Sequence, residues 1–230
     1  MKLLALESST ELLTVALSFD GRIVERQSPH GLSHSETALP LVRALLDEQG
    51  VTLADLDVIA FGAGPGAFTG LRLACSVAQG LAVGAGLPVI GIGSLEVLAL
   101  GEGDGLIYAC TDARMHEAYC AAFRVCGEDV ETVLAPVVAA PEGAPLPPGQ
   151  GWRGCGSGFA AYGDRLQLRL GGCLAAIHEQ ARPRAGAVAR LAAQRFARGQ
   201  AEDAALAAPR YVRDKIALTT RERLAAGGLK

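Results

Sequence analysis

A chain of 230 residues, half of them hydrophobic, has enough apolar material for one large domain or two small ones. A net charge of −3, a pI near 5.8 and an aromatic content of 5% exclude the positive field and stacking surface of a stand-alone RNA binder. Only Leu3 to Leu6 precede the first acid, Glu7, and no apolar run reaches the ~20 residues of a membrane span, so a cytoplasmic protein without a membrane is expected. The six cysteines include no CxxC pair and no histidine at zinc-finger spacing, which favours buried, reduced thiols.

Leu3 to Ala5 read as a first strand, Leu13 to Ser18 as a second, and Arg22 to Gln27 as a third, joined to the second by the hairpin signal Asp20-Gly21. The small polar residues Ser8, Ser9 and Thr10 between the first two strands either hold a phosphate or simply satisfy a turn. Ser28 to Ser33 form a loop. From Ser35 to Glu48 the set Ala38, Leu39, Leu41, Val42, Leu45 and Leu46 recurs at helical spacing, with Ser35 or His34 as the cap and Pro40 requiring a start close before it. His30 and His34 are four apart, but Pro29 and Gly31 break the helix that would aim both at one metal.

Phe61 to Ala85 joins a buried strand to a glycine loop and an apolar helix. Leu56 to Gly62 and Pro88 to Gly93 read as parallel strands flanking that helix, in a right-handed crossover. Gly62, Gly64, Gly66 and Gly70 make a tight loop with no Gly-Lys-Ser/Thr, so no lysine awaits a phosphate. On the helix, Ala74, Ala78, Ala82 and Ala85 form one small-residue stripe and Ser76, Gly80 and Gly84 another on the opposite side; an all-round apolar helix must pack on its sheet and on something else.

Ser94 to Leu100 begin a short helix, and Gly101, Gly103 and Gly105 mark a boundary. Domains are expected over 1–101 and 102–212, with a basic tail over 213–230. Leu106 to Thr111 and Glu117 to Val125 read as strands around Asp112 to His116, which is either an exposed turn or a polar site. Ala135 to Gly151, with five prolines, reads as an extended connection. Gly154 to Gly158 is a second glycine loop leading into Phe159 to Leu168, and Arg184 to Arg198 is an amphipathic helix. Arg210, Arg213, Lys215, Arg221, Arg223 and Lys230 against Asp214 and Glu222 make the tail basic, either solvated or a contact for RNA phosphate within a larger assembly.

This order resembles the two-lobed α/β fold of the actin-like, sugar-kinase and Hsp70 superfamily, with mixed sheets flanked by helices. More specifically it resembles the TsaB (YeaZ) family of tRNA threonylcarbamoyladenosine synthesis. The residues that carry the resemblance are Leu4-Ala5-Leu6-Glu7-Ser8-Ser9, His34-Ser35-Glu36 with Leu39-Pro40, Gly64-Pro65-Gly66-Ala67-Phe68-Thr69-Gly70-Leu71-Arg72, and Pro209-Arg210-Tyr211-Val212-Arg213. Glu7 stands where the family usually has Asp. The metal-holding histidine pair of the catalytic relative TsaD falls at Ser94 and Leu98, and leucine cannot coordinate a metal.

The resemblance therefore implies a non-catalytic scaffold with no catalytic residue, metal or cofactor of its own. It implies pairing with TsaD through the first two helices, with TsaE and ATP/Mg joining the complex, tRNA met only through it, and a homodimer when alone. Partner contacts are expected at Glu36, Leu39, Val42, Leu46, Leu71, Ala74, Cys75, Ala78 and Ala82, and nucleotide contacts at Ser8, Ser9, Gly64 and Gly66. The alternative is an autonomous kinase or ATPase of the same superfamily, with Glu7 and Asp112 as its carboxylates. A protease is a third reading, with Gly156-Ser157-Gly158 near a nucleophile-elbow pattern.

Overall fold

The computed structural model of the protein describes residues 1–29 and 31–213; the His30 half of the histidine pair and the tail from Asp214 onward lie outside the described residues. The first sheet begins with an antiparallel meander, β1 (Leu3–Glu7), β2 (Thr14–Phe19) and β3 (Arg22–Gln27). Asp20 and Gly21 turn β2 into β3 with φ of 47° and 73°, the left-handed pair that a two-residue hairpin requires. β4 (Val58–Gly64) and β5 (Val89–Gly93) add parallel to β1, giving the order β3-β2-β1-β4-β5. Every residue of β1 and β4 is buried, because helices cover both faces of the sheet there.

On one face lie α1 (His34–Gln49) and α2 (Phe68–Ala85), burying Val42, Leu45, Ala74 and Ala78 against Leu4, Leu6, Val15 and Ile59. α1 starts one residue earlier than the expected Ser35, with Ser33 rather than Ser35 or His34 in the cap position. Pro40 thus sits beyond the first turn, on the exposed side of the helix. The opposite face carries α3 (Ser94–Gly101), which stands between this sheet and the next.

The second sheet consists of β6 (Gly105–Arg114), β7 (Glu117–Cys126) and β8 (Asp129–Ala139) in an antiparallel meander. It is completed by β9 (Trp152–Cys155) and β10 (Leu174–His178), parallel to β6, in the order β10-β9-β6-β7-β8. α4 (Ser157–Leu170) covers its outer face, with its own Phe159, Leu166 and Leu170 in one cluster with Tyr108 and Trp152 of the sheet. Residues 135–139, expected as part of a loose connection, instead complete β8; Pro136 is tolerated because it falls in the register shift between Leu134 and Val137 on an edge strand.

The last helix, α5 (Ala185–Ala197), does not stay with the second lobe to which 102–212 was assigned. It returns to pack on β1 and β2 of the first sheet, where the Ala185 amide donates to Thr14 Oγ1 at 2.8 Å and Arg184 pairs with Glu25. Its buried stripe of Val188, Leu191 and Ala192 joins α3 and the inner residues of both sheets in one core.

Candidate functional sites: a sealed loop, a cleft and an open helical face

The glycine loop is packed against the end of β1 with almost no space between them. Side chains on Gly62, Gly66 and Gly70 would run into the Glu7 carboxylate, Ser9 and the Ser8 carbonyl respectively, so only glycine lets the loop approach this closely. The Ser8 hydroxyl donates to the Gly70 carbonyl at 2.7 Å, and the Ala67 amide donates to the Ser9 carbonyl at 2.7 Å. Glu7 is fully buried; its Oε1 accepts from the Ser9 amide at 2.7 Å and its Oε2 from the Ser94 hydroxyl at 3.1 Å. Burial pushes its carboxyl above the ordinary 4.5, against the lowering effect of those bonds.

Of the residues expected to touch nucleotide, Ser9 and Gly66 line the space between the lobes, whereas Ser8 is closed off by Gly70 and the Gly64 amide is engaged by Ser94 Oγ at 3.2 Å. Ser94 and Leu98, at the places of the TsaD histidines, are both buried in the core.

A cleft of about 790 Å³ opens between the lobes. Its walls are Ser9 to Glu11, Pro65 to Thr69, the β6–β7 turn from Thr111 to Met115, the start of α4 and the segment Arg210 to Arg213. Arg114, Met115 and His116 take φ of 62°, 54° and 63°, a run of left-handed backbone unusual outside glycine. Asp112 accepts from Tyr162 Oη at 2.7 Å and pairs with Arg114, and Glu11 pairs with Arg182. Burial and the Asp112 hydrogen bond push Tyr162 up to about 12, keeping it a neutral donor. Of the two carboxylates assigned to a kinase, only Asp112 reaches this cleft; Glu7 does not. Among the described residues no histidine lines the cleft, which leaves Ser157 without the base a protease needs.

The segment Pro209 to Arg213 straps the cleft mouth. The Arg210 amide donates to the Ala63 carbonyl at 2.7 Å, and the Tyr211 ring stacks on Phe68 at 5.6 Å while its hydroxyl accepts from Arg72 Nε at 3.0 Å. Arg72 also lies over the Phe68 ring, 3.7 Å from its centroid. At the other end Arg213 pairs with Glu117 of β7, so the strap ties the first lobe to the second.

The two helices of the outer face require a correction. Val42, Leu46, Ala74, Cys75, Ala78 and Ala82, expected to meet a partner, are turned into the protein's own core against β1, β2 and β4, and Leu71 is buried against Gly64. Positions 71, 74, 75, 78 and 82 form the i+3/i+4 stripe that faces the sheet, which leaves the opposite side to solvent. Glu36 and Leu39 are exposed, Leu39 at 52%. The open side of α2 carries Arg72, Ser76, Gly80, Val83 and Gly84; Val83 is 63% exposed, and a Cβ on Gly80 or Gly84 would meet nothing within 4 Å. α2 is also the one helix among the described residues long and apolar enough to cross a membrane, yet only 33% of it is buried here.

These features define a two-lobed α/β protein, two mixed five-stranded sheets flanked by helices, with a strapped interlobe cleft and an open, small-residue helical face. The family model described as "TsaD: tRNA N6-adenosine threonylcarbamoyltransferase" matches residues 30–220. The chain is 34% identical to the tRNA threonylcarbamoyladenosine biosynthesis protein TsaB of Escherichia coli, over 94% of this chain and 96% of that protein. It is 35% identical to TsaB of Haemophilus influenzae over 75% of this chain and 78% of that one. Among solved structures, YeaZ from Pseudomonas aeruginosa superposes with a TM-score of 0.83 at 36% identity, covering 91% of this chain and 99% of that one. A second P. aeruginosa structure, described as similar to peptidase YeaZ, gives 0.85 at 36% identity, covering 92% and 99%. The chain belongs to the TsaB (YeaZ) family, whose named members are proteins of tRNA threonylcarbamoyladenosine biosynthesis.

Proposed function

We propose that this protein is a cytoplasmic, non-catalytic subunit that binds and activates TsaD as TsaD transfers threonylcarbamoyl from threonylcarbamoyl-AMP to the adenosine beside the anticodon. The observation that carries this reading is the outward side of α2, where Ser76, Gly80, Val83 and Gly84 leave a nearly side-chain-free strip; Leu39 of α1, which packs on the same face of the sheet, is exposed as well. Small residues let a second helix approach closely, and a standard interface would cover about 800 Å² on each partner. The same strip serves a homodimer when TsaD is absent. TsaE and ATP/Mg act at the assembled complex, and tRNA is met only there. The sealing of Glu7, Ser8 and Gly64 supports a nucleotide site outside this chain's own glycine loop.

Co-elution with TsaD on size exclusion tests the reading. Gly80→Arg or Val83→Glu is expected to abolish co-elution while leaving the melting temperature of the isolated protein, read at a dilution where it is monomeric, no lower than the parent's. Wild-type co-elution of both variants would overturn it.

A further inference from the structure

We propose that Cys110 and Cys120 form a reversible oxidation site, at which hydrogen peroxide converts two thiols into a disulfide that ties β6 to β7 next to the cleft turn. The two residues are direct partners in the antiparallel register of β6 on β7, and their sulfurs lie 3.6 Å apart. Residues opposite each other on such strands have Cα atoms about 4.5–5.5 Å apart, inside the range that a disulfide spans. The sulfurs already touch, so rotation of the two side chains suffices to close the bond.

Among the described residues this is the one pair of cysteines in sulfur–sulfur contact. Cys155 is on the opposite face of the same sheet with Ala109 and Ala121, whereas Cys110 and Cys120 belong to the outer cluster with Tyr108 and Phe159. Cys75 lies in the core of the other lobe, and Cys126 is exposed at the end of β7.

The pair is asymmetric. Cys120 directs its own S–H at the Ala118 carbonyl, 3.9 Å away, which leaves its sulfur to accept from Cys110. That hydrogen bond favours the Cys120 thiolate and holds Cys120 below the usual thiol range, while Cys110, as the donor, is pushed up. Cys120 is therefore the nucleophile and Cys110 the resolving thiol. Cys120 gives up its proton and attacks one peroxide oxygen; the O–O bond breaks, and the departing hydroxide takes that proton to become water. Cys110 then attacks the sulfenic sulfur of Cys120, the S–O bond breaks, and the leaving hydroxide takes the Cys110 proton as a second water. Two thiols become one disulfide and one peroxide becomes two waters.

Both sulfurs are buried, but the cover over Cys110 is thin. Gly158, the second residue of α4, lies so close that a Cβ on it would meet the Cys110 sulfur at 2.5 Å. The helix loses its regular geometry at Tyr162, so Ser157 to Ala161 form a short flap that can lift without the rest of α4. Ser157, Ala160 and Ala161 also line the cleft, which gives a molecule as small as peroxide its approach.

The test uses the full chain, reduced, freed of reductant and exposed to hydrogen peroxide under native conditions, then blocked with N-ethylmaleimide in denaturant and mapped by mass spectrometry. The expected product is a peptide pair joined through Cys110 and Cys120, about 2 Da lighter than the two reduced peptides, with Cys75 and Cys155 still alkylated. Dithiothreitol is expected to restore both thiols. Alkylation of both Cys110 and Cys120 at a dose that oxidises exposed Cys126 would overturn the proposal, as would a disulfide mapped to another pair or a sulfinic acid at Cys120 with Cys110 still free. Cys110→Ala removes the resolving thiol and is expected to leave a sulfenic acid at Cys120 that dimedone traps; a Cys120 that stays unmodified in the folded variant would refute its role as nucleophile. The map of the unaltered chain decides the proposal whether or not the variant folds.

Discussion

The Glu7 carboxyl group occupies the space where a side chain on Gly62 would have to go, so the first strand and the glycine loop are fitted to each other through a polar group rather than an apolar one. Gly62→Ala should therefore cost about 1–3 kcal/mol or more through overpacking against a group that cannot leave its hydrogen bonds. Urea unfolding measures this, and a variant as stable as the parent would show that the strand end is slack.

Burial holds the Glu7 carboxyl above its ordinary 4.5, so the folded chain binds that proton more tightly than the unfolded chain does. Its contribution is full below 4.5 and declines as pH rises from there towards the raised folded value. Glu7→Gln keeps an acceptor for the Ser9 amide and removes the titration. The expected result is a shallower loss of stability above pH 4.5 than in the parent; parallel curves in urea melts at pH 5 to 8 would refute it.

Ala78 and Gly80 are two positions apart on α2 and should respond oppositely to the same substitution. Ala78 is fully buried, so Ala78→Arg places an uncompensated charge in the core and should cost about 3–5 kcal/mol, lowering soluble yield before any partner is involved. Gly80 opens on solvent, and Gly80→Arg should leave stability unchanged or raise it by up to about 1 kcal/mol, because arginine is the better helix former. Thermal melts of the two isolated variants separate core from interface directly.

Tyr211→Ala removes both the stack on Phe68 and the acceptor of Arg72, a loss of about 0.5–1.5 kcal/mol for the aromatic pair. The strap should loosen locally while the sheets stay intact, so the Arg210 amide, bonded to the Ala63 carbonyl, should exchange with solvent faster. Hydrogen exchange by mass spectrometry reads this; unchanged protection at Arg210 would show that Arg213 and Glu117 suffice to hold the strap.

The hairpin at Asp20-Gly21, the continuous apolar run into Gly62 and the crossover to Pro88 were legible because each depends on local chemistry: a left-handed turn, a strand covered on both faces, and chain direction. The facing of α2 was not. Both of its stripes are small and apolar, so periodicity marks two faces without saying which meets the sheet; Leu71 and Cys75, bulkier than the alanines beside them, were the available hint. β10 leaves no signal in the sequence because Leu-Ala-Ala-Ile-His is a mostly exposed strand at the sheet edge with no buried alternation to betray it. The contact of Cys110 with Cys120 could not be singled out from the sequence either, since which residues of β6 and β7 face each other is set by a register shift between Asp112 and Arg114.

The return of α5 to β1 and β2 has a bearing on the order in which the protein can be completed. The inner face of the first sheet is laid down by the opening hundred residues, but part of its cover is supplied by residues 185–197. A growing polypeptide thus carries that bare apolar surface until most of the message has been translated. Every strand of the second sheet is likewise synthesised before the first sheet receives its last wall.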